Sequence, residues 1–347
     1  MTDYRVNVIR NGGIFKELNW DTDNVPEIVF NSQSMIKCSL RGRFIPDQER
    51  NYLKDELQPI LITEDAEYPL GIFRASTVSA AGGMEGSMVS IEAFDRCWLL
   101  DEAKTENIIH ISAGAAYISE IEKLLTAAGI YSYLADPSDA VFSTDREDWP
   151  VGTSRLKIIN QLLEEMGFEP VFFDNYGTAQ LRRYRPPSAE GIVRHYSATD
   201  VLRLPMGTDY RQETDIFDSP NVFICICSNA DNSGVLTATA ENNSPLSDKS
   251  IINRGLRIPK ITKIDQVAGQ AELQTIANRF RDESLLSGYT TGIEILPEAG
   301  HLLGDVVSVD HPDIGGIYRE QSWSMSLSPE MLMRLSLHRE VLKADEF

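Results

Sequence analysis

The sequence predicts a β-rich α+β protein in which two barrel-like β domains flank an α/β helical region. Short segments of alternating apolar and polar residues, separated by Gly, Asn and Pro, recur at both ends of the 347-residue chain. Apolar residues repeated at the period of a helix occur mostly between these two ends of the chain. Since domains typically hold about 100–200 residues, we assign residues 1–100 and 191–347 to the β domains and residues 101–190 to the helical insertion.

The front segment opens with a predicted β-hairpin. Residues 4–9 alternate around Val6 and Val8, and Asn11-Gly12-Gly13 suits the positive φ of a tight turn before a second strand at residues 14–20. Residues 47–57 are charged and compatible with a helix. Three further strands are predicted at residues 58–63, 68–77 and 88–95, with a glycine-containing loop at residues 80–86 between the last two.

The middle segment changes to a helical period. Apolar residues at positions 118, 121, 124, 125 and 128 share one face of a helix that starts near Ser112 and ends at Gly129. A second helix opens at Thr153 or Ser154, ends at Gly167 and is followed by an apolar run at residues 171–173. Residues 135–149 read as a loop.

A cluster of basic residues closes the middle segment. Arg182, Arg183 and Arg185 flank Tyr184, ahead of a predicted domain boundary at residues 186–191. The cluster could contact an acidic partner, or it could be a strand end whose charges are solvated before a linker. We favour the second interpretation.

The last segment is predicted as strands around one helix. Residues 222–227 and 235–240 form a hairpin. The helix at residues 270–287 places four apolar side chains on one stripe that should cover a small sheet: Leu273, Ile276, Ala277 and Phe280. Strands at residues 290–296 and 304–310 precede a closing hairpin at residues 317–327 and 331–339.

No segment carries a recognisable catalytic motif. The Asn229 to Gly234 segment resembles the start of a calcium loop but lacks the acidic residue at its twelfth position. Glu164 and Glu165 are read as solvated charges on a helix. Potential ligands near the C-terminus are read as turn residues: His301, Asp305, Asp310, His311 and Asp313. We therefore predict no enzyme activity, no cofactor and no metal site.

Charge and cysteine content limit the class of protein further. The net charge of −20 argues against a surface whose main role is to bind phosphate groups. Four scattered cysteines fit a reducing cytosol rather than a disulfide framework: Cys38, Cys97, Cys225 and Cys227. Neither a secretion signal nor a membrane anchor is evident in the sequence.

Several loose motifs carry a resemblance to a known family. In front they are Pro69-Leu70-Gly71-Ile72-Phe73 and residues 89–100; at the back they are residues 271–280, Gly304-Asp305-Val306-Val307 and Gly315-Gly316-Ile317-Tyr318. With them the chain resembles the tail or baseplate hub proteins of tailed phages and phage-derived particles. That family includes the hubs of defective Bacillus prophages and, distantly, myophage hubs and type VI spike proteins.

The resemblance implies a homotrimer whose two similar barrels per chain form a pseudo-sixfold ring. Such a ring joins a hexameric tail tube, or a tube-initiator protein, to a threefold spike or tail fibre, with baseplate wedge proteins around it. DNA would only pass through the lumen. The implied location is the tail baseplate of a phage, prophage or contractile bacteriocin particle made in the bacterial cytoplasm.

Edge strands are the predicted joints between subunits, because their unpaired backbone groups can bond across chains. We expect these joints at residues 68–77 and 323–337. The candidate interface residues are Tyr68, Leu70, Ile72, Phe73, Trp323, Met325 and Leu327.

Two other functions remain open from sequence. A receptor- or cell-wall-carbohydrate-binding tail component would display exposed aromatic clusters, whereas the four tryptophans are dispersed along the chain. A cell-wall hydrolase lacks its motif.

Overall fold

A computed structural model describes residues 2–83, 86–185, 191–199, 204–207, 210–214, 219–228, 234–285 and 289–339. Its architecture is α+β and β-rich, as predicted. The front segment contains eight strands: β1 (Asp3–Arg10), β2 (Gly13–Glu17), β3 (Glu27–Asn31), β4 (Cys38–Phe44), β5 (Glu56–Ile62), β6 (Glu67–Pro69), β7 (Phe73–Gly83) and β8 (Gly86–Phe94). The opening hairpin is confirmed, since β1 pairs with β2 and Asn11 and Gly12 have φ angles of 54° and 80°.

Three details of the front segment differ from the sequence prediction. Residues 47–55 form turns instead of a helix, because Asp47 and Asn51 accept hydrogen bonds from the backbone N–H groups two residues on. The strand expected at residues 68–77 is broken, since β6 ends at Pro69 and Gly71 has a φ of 132°. The expected loop at residues 80–86 is largely strand, because β7 and β8 stay paired as far as Gly83 and Gly86.

The helical region packs three helices on a small sheet. Its elements are α1 (Arg96–Glu102), α2 (Tyr117–Ala127), β9 (Tyr133–Ala135), α3 (Arg155–Glu165), β10 (Phe172–Phe173) and β11 (Ala179–Leu181). The second predicted helix begins as expected, with the Ser154 hydroxyl accepting from the N–H of Lys157. The first begins at Tyr117, five residues later than expected from Ser112.

The last segment contributes the remaining strands and helices. They are β12 (Arg194–Ser197), β13 (Leu204–Pro205), β14 (Arg211–Thr214), β15 (Val222–Ser228), β16 (Val235–Glu241), α4 (Ile251–Arg254), β17 (Pro259–Ile264), α5 (Gln270–Leu285), β18 (Tyr289–Ile295), β19 (Val306–Asp310), β20 (Gly316–Ser326) and β21 (Met333–Arg339). The two predicted hairpins are confirmed, because β15 pairs with β16 and β20 pairs with β21.

The predicted helix over a small sheet is confirmed. Helix α5 covers the sheet β16-β15-β17 and buries Leu273, Ile276 and Ala277 against it. Two glutamines of α5 also reach the edge of β16: Gln270 and Gln274 donate from Nε2 to the carbonyls of Thr237 and Thr239, each at 3.1 Å. That edge is therefore partly occupied by the chain's own side chains.

One large sheet connects the front and last segments. Its main path runs β13-β12-β19-β20-β3-β4-β8-β7-β5-β1-β2, with β6, β14, β18 and β21 attached beside it. The connection is the antiparallel pairing of β20 with β3, which places Trp323 opposite Phe30. Strands predicted to belong to two β domains thus lie in one hydrogen-bonded sheet.

Within the described ranges, most buried apolar residues belong to one of three clusters. The largest lies on the large sheet and combines residues of the front segment, such as Phe44 and Phe73, with residues of the last segment, such as Tyr318 and Leu337. The second is the core of the helical region, and the third lies under α5. The boundaries at residues 100 and 190 remain a prediction, and residues 186–190 lie outside the described ranges.

Candidate interface surfaces

Six of the seven predicted interface residues lie in the core. Tyr68 is 41% exposed, whereas the exposed fractions of the other six range from 0 to 6%: Leu70, Ile72, Phe73, Trp323, Met325 and Leu327. Strand β7 pairs with β8 along its length but with β5 only at Phe73 and Arg74, and β20 lies between β3 and β21. These six side chains therefore pack in the core of the chain. An interface role stays a prediction for all seven residues, and Tyr68 is the one whose side chain is well exposed.

The described sheet edges include β2, β6 and the part of β7 beyond Arg74. Strand β2 ends the main path of the large sheet, and its Ile14 and Phe15 side chains are 64% and 40% exposed. The guanidinium carbon of Arg10 lies 3.8 Å from the centroid of the Phe15 ring. Strand β6, which carries Tyr68, pairs with β5 alone among the described strands. The alternation of residues 13–17 gave no sign that β2 would be an edge of the sheet.

The arginine cluster lines a cleft that the sequence did not indicate. The cleft has a volume of about 900 Å³ and is bounded by the large sheet, the helical region and α5. Arg183 donates to the carbonyl of Pro137 at 2.8 Å, and Arg185 lies 3.5 Å from Asp136. The guanidinium of Arg182 lies over the Phe172 ring, 5.2 Å from its centroid. The cluster is thus partly held against the protein rather than freely solvated.

A lysine from another part of the chain lies in the same cleft. Lys37 lies between β3 and β4, is 7% exposed and donates from Nζ to the carbonyl of Ser32 at 2.7 Å. Burial lowers the pKa of Lys37. Isolated Lys residues are usually exposed, so sequence gave no reason to place this one in a cleft.

The expectation that Glu165 is solvated is wrong. Its carboxylate is buried and accepts from both terminal nitrogens of Arg146, at 3.0 and 3.2 Å, and from the hydroxyl of Tyr117 at 3.0 Å. Glu164 is solvated as expected, with its side chain 43% exposed. The network joins α2, α3 and the preceding loop, so its role is structural.

The potential ligands near the C-terminus are bound to other side chains or lie in a turn. His301 is buried against the carboxylate of Glu320 at 2.8 Å, whereas Asp305 accepts from Arg194 at 2.7 Å. His311 and Asp313 lie in the turn between β19 and β20, as predicted. Within the described ranges no three His, Cys, Asp or Glu side chains form a group suited to a metal. The Asn229 to Ser233 part of the calcium-like segment lies outside those ranges.

A buried carboxylate organises the start of the helical region. Asp95 caps α1 by accepting from the N–H of Cys97 at 2.9 Å, and it also accepts from the N–H of Cys38 at 2.8 Å. Burial raises the pKa of Asp95 to about 6.

All four cysteines are free thiols, as predicted. No helix in the described part of the chain is long and apolar enough to span a bilayer.

The fold is that of solved phage tail proteins. The tail protein from Neisseria meningitidis MC58 matches with a TM-score of 0.68 at 12% identity, over 97% of this chain and 96% of that one. The 43 kDa tail protein of prophage MuSo2 from Shewanella oneidensis matches with a TM-score of 0.63 at 11% identity, over 97% and 98% of the two chains. At these identities the likeness shows a shared fold.

A secretion-system protein shares the fold as well. An Escherichia coli component of the type VI secretion system, described as similar to the bacteriophage T4 tail proteins gp27 and gp5, matches with a TM-score of 0.55 at 9% identity, over 99% of this chain and 78% of that one. No protein-family model matches the sequence, and neither does any curated protein.

Proposed function

We propose that the chain is a structural hub protein of a phage tail, prophage or contractile bacteriocin particle. The observation that carries the proposal is the extent of the fold likeness, which covers nearly all of this chain and nearly all of two tail proteins. A likeness confined to one module would fit a shared domain, whereas a match over whole chains fits a shared role in an assembly. The likeness to a type VI secretion component fits the same role.

The hub would work by matching symmetries. Three copies, each contributing a front and a last β segment, would present six similar lobes to a hexameric tail tube and threefold symmetry to a spike or tail fibre. Baseplate wedge proteins would contact its outside. The net charge of −20 fits a lumen through which DNA passes without being held.

The subunit joints would lie at the described sheet edges. Strand β2 presents Ile14 and Phe15 to solvent, and β6 presents Tyr68. Edge strands offer unpaired N–H and C=O groups that bond readily to a strand of another chain. This placement adds β2 and β6 to the joint predicted at residues 68–77, where, among the described strands, β7 is paired on one side only beyond Arg74.

Charge substitutions at these edges test the placement. Ile14→Lys and Tyr68→Glu should reduce self-association because each buries a charge in the proposed joint. Tyr176→Glu is a matched control, since Tyr176 is 70% exposed in the helical region. Sedimentation velocity over a concentration series would measure association. Equal self-association of the three variants would contradict the placement of the joints. An unchanged thermal unfolding temperature would show that each variant is folded.

A further inference from the structure

The cleft between the large sheet, the helical region and α5 has a charge opposite to that of the chain. Its lining carries more Lys and Arg than Asp and Glu side chains, although the net charge of the chain is −20. The cations come from separate parts of the sequence: Lys37, Arg182, Arg183, Arg185, Lys249, Arg279 and Arg319. Such convergence makes a local positive potential inside a negative field.

Three of the carboxylates that line the cleft are already bound by the chain's own donors. Glu320 contacts His301 at 2.8 Å, and Asp282 accepts from the hydroxyl of Tyr184 at 3.0 Å. Asp136 accepts from the backbone N–H of Arg183 at 2.9 Å. These acidic groups therefore have partners that do not depend on Lys37 or Arg182.

Lys37 and Arg182 have no carboxylate within ion-pair distance among the residues that the structure describes. Lys37 is 7% exposed as a residue, and its ammonium donates to the carbonyl of Ser32. An ammonium has three donors, so it can bond to acceptors besides Ser32. The guanidinium of Arg182 lies over the Phe172 ring and pairs with no carboxylate among the described residues. A buried cation costs free energy unless counter-charges compensate it, and the Coulomb interactions of Lys37 with Asp95 and Glu169 offset only part of its desolvation, since its pKa stays lowered.

We propose that this cleft docks an extended acidic segment of a partner protein, with its carboxylates on Lys37 and Arg182. The volume of about 900 Å³ is large enough for several side chains. The Leu303 side chain supplies an apolar contact. The proposal concerns a surface other than the sheet edges, and it does not depend on the oligomeric state.

A peptide fits this lining better than a nucleic acid does. Five carboxylates line the cleft together with its cations. A polynucleotide presents an unbroken row of phosphates that these carboxylates repel, whereas an acidic peptide can place neutral residues and backbone N–H groups beside them. The mixed signs of the lining therefore favour an acidic protein segment.

Peptide titration of the full chain tests the proposal. The probe is a fluorescein-labelled peptide of alternating Glu and Gly, followed by fluorescence anisotropy, with the Gln-for-Glu peptide as its neutral counterpart. The acidic peptide should bind, and binding should weaken as salt rises. Arg182→Glu should weaken it by about tenfold or more, as expected for reversal of a contacting charge.

The matched control is Arg334→Glu, which makes the same charge change at a side chain that is 76% exposed outside the cleft. It should leave peptide affinity nearly unchanged. Absence of binding by the acidic peptide, or equal weakening by both variants, would overturn the proposal. Tighter binding of oligothymidine with the same dependence on Arg182 would assign the cleft to nucleic acid instead. Thermal unfolding of both variants checks that each is folded.

Discussion

Glu165 is the residue whose environment differs most from its sequence pattern. The two adjacent glutamates occupy neighbouring positions of α3, yet Glu164 faces solvent while Glu165 is bound by Arg146 and Tyr117. No local pattern distinguishes them, because the burial of Glu165 depends on the loop that carries Arg146, nineteen residues earlier. Helical periodicity predicts a face, but it does not predict what packs on that face.

Removal of one partner from this network should be costly. We expect Glu165→Gln to destabilise the protein by about 2 kcal/mol, because it removes the buried partner of Arg146 and leaves the partly exposed Asp148 as its remaining ion-pair partner. Glu164→Gln should cost less than about 1 kcal/mol, since that carboxylate is half exposed. Urea unfolding would measure both. Similar losses in the two variants would contradict the structural role of Glu165.

Asp95 should make stability depend on pH. Its pKa in the folded protein is raised to about 6 from an ordinary value of 3.8, so the folded state binds a proton more tightly than the unfolded state. This contribution is fully present below pH 3.8 and is lost as the pH rises through about 6. The corresponding free energy is about 3 kcal/mol.

The comparison of wild type with Asp95→Asn isolates this group. We expect the stability of wild type relative to the variant to fall between about pH 4 and pH 6 and then to level off. Thermal unfolding across that range would measure the difference. A relative stability that rises with pH would contradict the assignment, because it would indicate a lowered pKa.

At the scale of elements, two helices differ in how they begin. The Ser154 side chain caps α3, whereas Ala116 occupies the equivalent position of α2 without a side-chain hydrogen bond. Ser154→Ala should destabilise the protein by about 1 kcal/mol, and Ala116→Ser should stabilise it by about 0.5 kcal/mol. Chemical denaturation would measure both signs. A loss in both variants would show that packing, rather than capping, dominates at these positions.

The elements that sequence predicted best have strong local signals. Helix α5 has an apolar stripe, and α3 has both a capping serine and a glycine after its end, so each was located within two residues. Residues 47–55 carried charge but no apolar periodicity, and their side chains bond to the local backbone instead. The break at Gly71 has no comparable pattern, because only the three-dimensional path of β6 into β7 requires its positive φ.

At the scale of the molecule, the class of fold was predictable and the long-range pairing was not. Alternating segments at both ends indicated a β-rich protein. The pairing of β20 with β3 joins residues nearly three hundred positions apart, and it determines which strands are internal. Because edges depend on that topology, the sequence could indicate that edges exist but could not identify β2 and β6 as edges.

The most direct test of the account is the symmetry of the assembled chain. The purified 38.8 kDa protein would be mixed with the candidate tube-end and spike proteins encoded beside it, and any complex would be imaged by electron microscopy. The hub role predicts a ring of three copies with six similar lobes, with the tube protein on one side and the spike on the other. A stable monomer that binds neither protein but does bind cell-wall sugar would contradict the hub role and would support a receptor-binding component.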